Sequence, residues 1–222
     1  MAIEFPRGGF DNELPTGAKK LPCALLVDTS GSMGAYEDDL KVGVKSLIDA
    51  LQGDFATAAV VEVMLVFFDD SARIVHPFTN VRSLEVPEIE TGGTTHIFEA
   101  LDLAYSEIRV RQEQYKKSGI NSYAPFIVVL TDGHPVGDTD MGIVSAIRKR
   151  NEDKKLVPYP FAMGGEADEA LLKSLRNDGM AFRVDMENLK DIFEFVSVSL
   201  SSIASDVTSV TNDQLPATIS II

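Results

Sequence analysis

Residues 23–28 read CALLVD, five apolar side chains without alternation closed by an aspartate. A strand with one wet face alternates apolar and polar positions. A strand covered on both faces does not, so this run predicts a central parallel strand with helices packed on either side. The segments that follow keep to that plan. Leu40, Val44, Leu47, Ile48 and Leu51 recur at three- and four-residue spacing, with Asp38, Asp39, Lys41, Lys45 and Asp49 on the opposite side, which predicts an amphipathic helix over about 36–51.

VVEVMLVFFDD at 60–70 and ARIVHPFT at 72–79 are strand-like runs joined by Asp69-Asp70-Ser71, the pattern of a hairpin whose second strand lies at a sheet edge. Further helices are expected at 97–117, 140–151, 168–177 and 188–204. Further strands are expected at 125–132, 157–163 and 180–185. Strands alternating with helices imply an α/β, doubly wound, mostly parallel sheet with one antiparallel edge strand and helices on both faces. The ligand site of such a sheet lies outside the carboxyl ends of its strands. We divide the chain into an N-terminal arm (1–19), one domain (20–204) and a Thr- and Ser-rich tail (205–222) that either stays loose, adds a strand or meets a neighbour.

Composition excludes several function classes. Twenty Lys and Arg stand against 34 Asp and Glu, a net charge of −14 that repels nucleic acid and anionic lipid alike. Cys23 is the only cysteine and reads as a small core residue, which favours a reducing compartment. No basic and apolar leader opens the sequence and no run reaches bilayer length, so the expectation is a cytoplasmic protein without a membrane segment.

Three loops at predicted strand ends carry oxygen-bearing side chains. Asp28-Thr29-Ser30-Gly31-Ser32 places one carboxylate and two hydroxyls at alternate positions. TGGTTHIFEAL at 91–101 sets two glycines and two threonines ahead of a helix, and LTDGHP at 130–135 ends a strand on Asp132. Hard divalent cations such as Mg²⁺ take oxygen ligands of this kind. His96 and His134 flank the loops and read as solvated loop histidines, and His76 has no functional claim. Asp69 and Asp70 read as exposed turn carboxylates. The Gly164-Gly165 pair lacks a phosphate-loop pattern.

The ordered set DTSGS, GGTT and TDG, on this succession of elements, resembles the von Willebrand factor A (vWA) domain with its metal-ion-dependent adhesion site. The resemblance implies Asp28, Ser30, Ser32, Thr95 and Asp132 as metal ligands; Thr95, six residues before Leu101, is preferred to Thr94. It also implies a divalent ion, Mg²⁺ ahead of Mn²⁺ or Ca²⁺, with one position open to a carboxylate from a protein partner.

LPCALLVDTSGSM and FDDSARIVHPFT are similar to the bacterial TerY-type tellurium-resistance group. That similarity implies a stress-response role beside a kinase or phosphatase. Binding rather than catalysis is expected, because no nucleophile or second acidic cluster accompanies the loops. A metal-assisted hydrolase, or a subunit of a chelatase or AAA+ assembly, are the alternatives.

Overall fold

The computed structural model describes residues 2–4, 19–137, 139–204, 209–211 and 215–222. Strand β1 (Ala2–Glu4) precedes β2 (Leu21–Asp28), which leads through a 3₁₀ turn at Gly31–Tyr36 into α1 (Glu37–Gly53). A short helix, α2 (Phe55–Val60), is capped by the Asp54 carboxylate, which accepts from the Ala56 and Thr57 amides. Next come β3 (Val61–Phe68), β4 (Ala72–Asn80), α3 (Ile97–Lys117), β5 (Phe126–Thr131), α4 (Met141–Glu152) and β6 (Val157–Met163). The chain closes with α5 (Glu169–Ser174), β7 (Phe182–Val184), α6 (Leu189–Ala204), β8 (Ser209–Thr211) and β9 (Ile219–Ile221).

Seven strands form the main sheet in the order β4-β3-β2-β5-β6-β7-β9. The β3–β2–β5–β6–β7 block is parallel, and β4 turns back antiparallel to β3 at one edge, as its hairpin sequence predicts. The tail supplies β9, antiparallel to β7, at the other edge. Strands β1 and β8 pair in a separate two-stranded sheet, and residues 5–18 of the expected arm lie outside the described residues.

The unbroken apolar runs divide between two cores. In β2, Leu21, Cys23, Leu25 and Val27 face a layer built on α1 and α6, whereas Ala24 and Leu26 face α3, α4 and α5. β3 and β5 split the same way, Val128 and Leu130 to one side and Ile127 and Val129 to the other. A period-2 strand buried on both faces needs apolar side chains at every position, which is why no alternation shows in the sequence. Close packing reaches the backbone where α1 crosses α6: a side chain at Gly43 would place its Cβ 2.3 Å from the Phe193 ring.

β2 has β3 on one flank and β5 on the other, so the loops leaving the carboxyl ends of β2 and β5 diverge. That divergence opens a crevice at the topological switch point. Asp28 ends β2, and Asp132 follows the last residue of β5.

Candidate metal centre

Asp28 is fully buried and both of its carboxylate oxygens are engaged. Oδ1 accepts from the Ser30 amide at 2.9 Å, and Oδ2 accepts from the Thr131 hydroxyl at 2.6 Å. The Ser30 and Ser32 hydroxyls lie 3.1 Å apart, and Ser32 donates to Asp132 Oδ1 at 2.7 Å. A chain of short contacts therefore runs from β2 to β5 across the crevice. Thr131 escaped the sequence reading, because the pairing of β2 with β5 is what brings it to Asp28. Parallel register pairs Val27 with Leu130, so the next step sets Asp28 beside Thr131.

The third loop closes on the first two through the backbone. The Gly31 amide donates to the Gly93 carbonyl at 3.0 Å, and the Gly92 amide donates to the Thr29 carbonyl at 2.8 Å. Thr95 is buried, and its Oγ1 lies 2.9 Å from where a Cβ on Gly133 would stand, so the GGTT and TDG loops touch there. Thr94 is turned elsewhere, its amide and hydroxyl both donating to Asp70 Oδ1 at 2.9 and 2.8 Å. The structure thus gathers Asp28, Ser30, Ser32, Thr95 and Asp132 on one crevice, with Thr94 committed to the neighbouring hairpin turn.

That turn corrects one expectation. Asp70 is exposed as expected, but Asp69 is partly buried, pairs with Arg73 and accepts from the Thr29 hydroxyl at 3.0 Å. Burial raises the Asp69 carboxyl, but the Arg73 and Thr29 contacts outweigh it and hold the group below its ordinary value. His96 is likewise part-buried, its Nδ1 2.9 Å from the Asp69 carbonyl oxygen, while His134 is exposed as expected. Turn residues favour local hydrogen bonds; Arg73 is such a local partner, but Thr29, Thr94 and His96 come from 24 to 40 residues away.

The two carboxylates at the crevice have a different electrostatic setting. Burial pushes Asp28 up to about 6, against hydrogen bonds from Ser30 and Thr131 that lower it, and the nearby Asp132 charge raises it further. Asp132 is also raised, chiefly by burial. Neither has a basic side chain among the causes of its shift. A buried carboxylate without a cation is unfavourable when ionised, and a bound dication relieves that cost.

The donor set fits a hard ion: two carboxylates and three hydroxyls, all oxygen. Among the described residues no three His, Cys, Asp or Glu side chains cluster as a metal site. Beside Thr95 opens a cleft of about 390 Å³ lined by His96, Phe98, Glu99, Val136 and Gly137.

A sequence profile of the von Willebrand factor type A domain matches residues 24–195, from β2 into α6 and across all three loops. The chain belongs to the von Willebrand factor type A family. Domains of this family commonly serve as metal-dependent adhesion or protein-interaction modules and often bind a divalent metal.

Several solved structures share the fold at low identity. A von Willebrand factor type A protein from Catenulispora acidiphila superposes with a TM-score of 0.62 at 16% identity, covering 82% of this chain and 43% of its own. BatB from Bacteroides thetaiotaomicron gives 0.55 at 20%, covering 83% of this chain and 99% of its own. The pilus adhesin SpaC from Lactobacillus rhamnosus GG gives 0.58 at 16%, covering 87% of this chain and 30% of its own. This vWA chain spans less than half the length of the first structures it matches. No curated protein sequence matches it. No helix among the described residues is long and apolar enough to cross a membrane.

Proposed function

We propose that this vWA domain is a metal-ion-dependent protein-binding module, with Asp28, Ser30, Ser32, Thr95 and Asp132 holding one divalent cation at the switch point. The observation that carries the proposal is Asp28: a fully buried carboxylate, oriented by Ser30 and Thr131, with no basic side chain among the described residues contributing to its shift. Asp28 and Asp132 supply negative charge, and the hydroxyls of Ser30, Ser32 and Thr95 supply neutral oxygen donors. A divalent ion held by these residues would supply a Lewis-acidic centre for an outside carboxylate oxygen. Two carboxylates offset a dication in charge without filling its shell, which favours capture of an acidic partner residue.

Binding rather than turnover is our reading because the candidate reactive groups are poorly placed for chemistry. Cys23 lies at the opposite end of β2 from Asp28, its thiol pushed up to about 12 by burial, and His96 is held by Asp69 and Thr94. On resemblance alone, the proposal extends to a cytoplasmic bacterial stress or tellurium-resistance complex in which a kinase or phosphatase supplies the carboxylate.

Loading the protein with Mn²⁺ and following water-proton relaxation tests the open position. Bound waters should be displaced by added glutarate, and the displacement should be absent in Asp28→Ala. Mn²⁺ that binds wild type and Asp28→Ala alike, or relaxation that glutarate leaves unchanged, would contradict the proposal.

A further inference from the structure

The Asp69–Asp70 turn between β3 and β4 contributes no candidate ligand, yet it grips the residues on either side of the candidate ligands. Thr29, between Asp28 and Ser30, donates its hydroxyl to Asp69 Oδ2 at 3.0 Å. Thr94, just before Thr95, gives both its amide and its hydroxyl to Asp70 Oδ1. His96, just after Thr95, donates its amide to the Asp69 carbonyl at 3.0 Å and sets Nδ1 2.9 Å from the same oxygen. Arg73 fixes the Asp69 carboxylate from the outside.

Backbone shape reinforces the grip. Gly93 has φ +74 and lies so close to Asp70 that a Cβ there would stand 2.7 Å from the carboxyl carbon. A glycine therefore meets two demands at once, a left-handed backbone and the close approach of Asp70.

We infer that Asp69 and Asp70 are positioning residues that hold the DTSGS and GGTT loops in register, so that Asp28, Ser30, Ser32 and Thr95 face one ion. The inference rests on the metal site proposed above. It adds that the site's affinity is set partly by a hairpin turn that touches no ion. Outer partners of this kind act by fixing ligand orientation, and losing one weakens metal binding about 10- to 100-fold. The TDG loop is joined to the DTSGS loop rather than to the turn itself, Asp132 through Ser32 and Thr131 through Asp28.

The test is calorimetric titration of Mg²⁺ into the full chain as wild type, Asp70→Ala, Asp70→Asn and Thr29→Val. Asp70→Ala should bind about 10- to 100-fold more weakly. Asp70→Asn keeps an acceptor oxygen for Thr94 and should stay within about threefold of wild type, since it loses charge but not the bonds. Thr29→Val removes the hydroxyl that Asp69 Oδ2 and the Phe68 carbonyl share, leaves the turn's own residues intact and should weaken binding about fivefold, a change near 1 kcal/mol at 1.4 kcal/mol per tenfold.

Hydrogen exchange without metal supplies a second readout: the Thr94 and His96 amides should exchange faster in Asp70→Ala than in wild type. Wild-type affinity in both Asp70→Ala and Thr29→Val overturns the clamp. An Asp70→Asn protein as weak as Asp70→Ala also overturns it, by showing that charge and not positioning is at work. Absence of Mg²⁺ binding by the wild type would instead overturn the metal site itself. If Asp70→Ala loses its cooperative melt, Thr29→Val and Asp70→Asn decide the matter.

Discussion

Two carboxylates are buried at opposite ends of this sheet, and the protein treats them differently. Glu62, near the start of β3, receives Arg111 through Nε at 2.8 Å and Nη2 at 2.5 Å, with the Tyr115 hydroxyl at 2.5 Å and Lys20 at 3.9 Å. Asp28, at the far end of β2, receives the Ser30 amide and the Thr131 hydroxyl. Among the described residues a cation is provided for Glu62 and none for Asp28. A carboxylate answered from within makes a structural brace. One left without a cation, beside a second carboxylate and a row of hydroxyls, is equipped to take its cation from solution.

If that contrast is right, substitutions at the two ends have opposite signatures. Glu62→Ala leaves Arg111 and Tyr115 without their buried partner and should destabilise the protein by about 3 kcal/mol in denaturant unfolding, with Mg²⁺ affinity unchanged. Asp28→Asn should reduce Mg²⁺ affinity by at least about 100-fold, roughly 2.7 kcal/mol, while the metal-free protein melts no lower than wild type. A Glu62→Ala protein of normal stability, or a marked destabilisation of metal-free Asp28→Asn, would break the comparison.

The pH dependence sharpens it. Asp28 is raised from 3.8 to about 6 in the folded chain, so its favourable share of metal-free stability is complete below the unfolded value and is lost as pH rises through about 6. Mg²⁺ binds the ionised form. Its stabilising effect in thermal melts should therefore be small near pH 5 and full near pH 7, and a shift of equal size at both would count against a buried, proton-retaining Asp28. The smallest expected effect is a control. Lys45→Ala removes an exposed pair with Asp49 on α1, and neither melting nor Mg²⁺ affinity should move measurably.

What the sequence conveyed follows from how far apart the interacting residues are. Helix α3 starts and stops where the Ile97–Leu101–Ala104–Ile108 spacing predicts, and β6 spans the predicted 157–163, because burial on a regular element leaves a local period. Helix α2 went unseen, since six residues are too few to display a period and Asp54 was its sole signal. β9 was left open, because an edge strand is fixed by its long-range pairing with β7 and ATISII carries no turn signal. Around the site, Asp28, Ser30, Ser32, Thr95 and Asp132 were legible as residue types in order. Their fastening by Thr131 and Asp70 was not, since those contacts join residues 103 and 24 positions apart.

The most direct measurement is titration of Mg²⁺ into wild type, Asp28→Ala and Glu62→Gln at neutral pH. Wild type and Glu62→Gln should each bind one ion per chain with matching affinity, and Asp28→Ala should give no binding heat. Equal binding by wild type and Asp28→Ala, or loss of binding in Glu62→Gln alone, would contradict the metal site at Asp28.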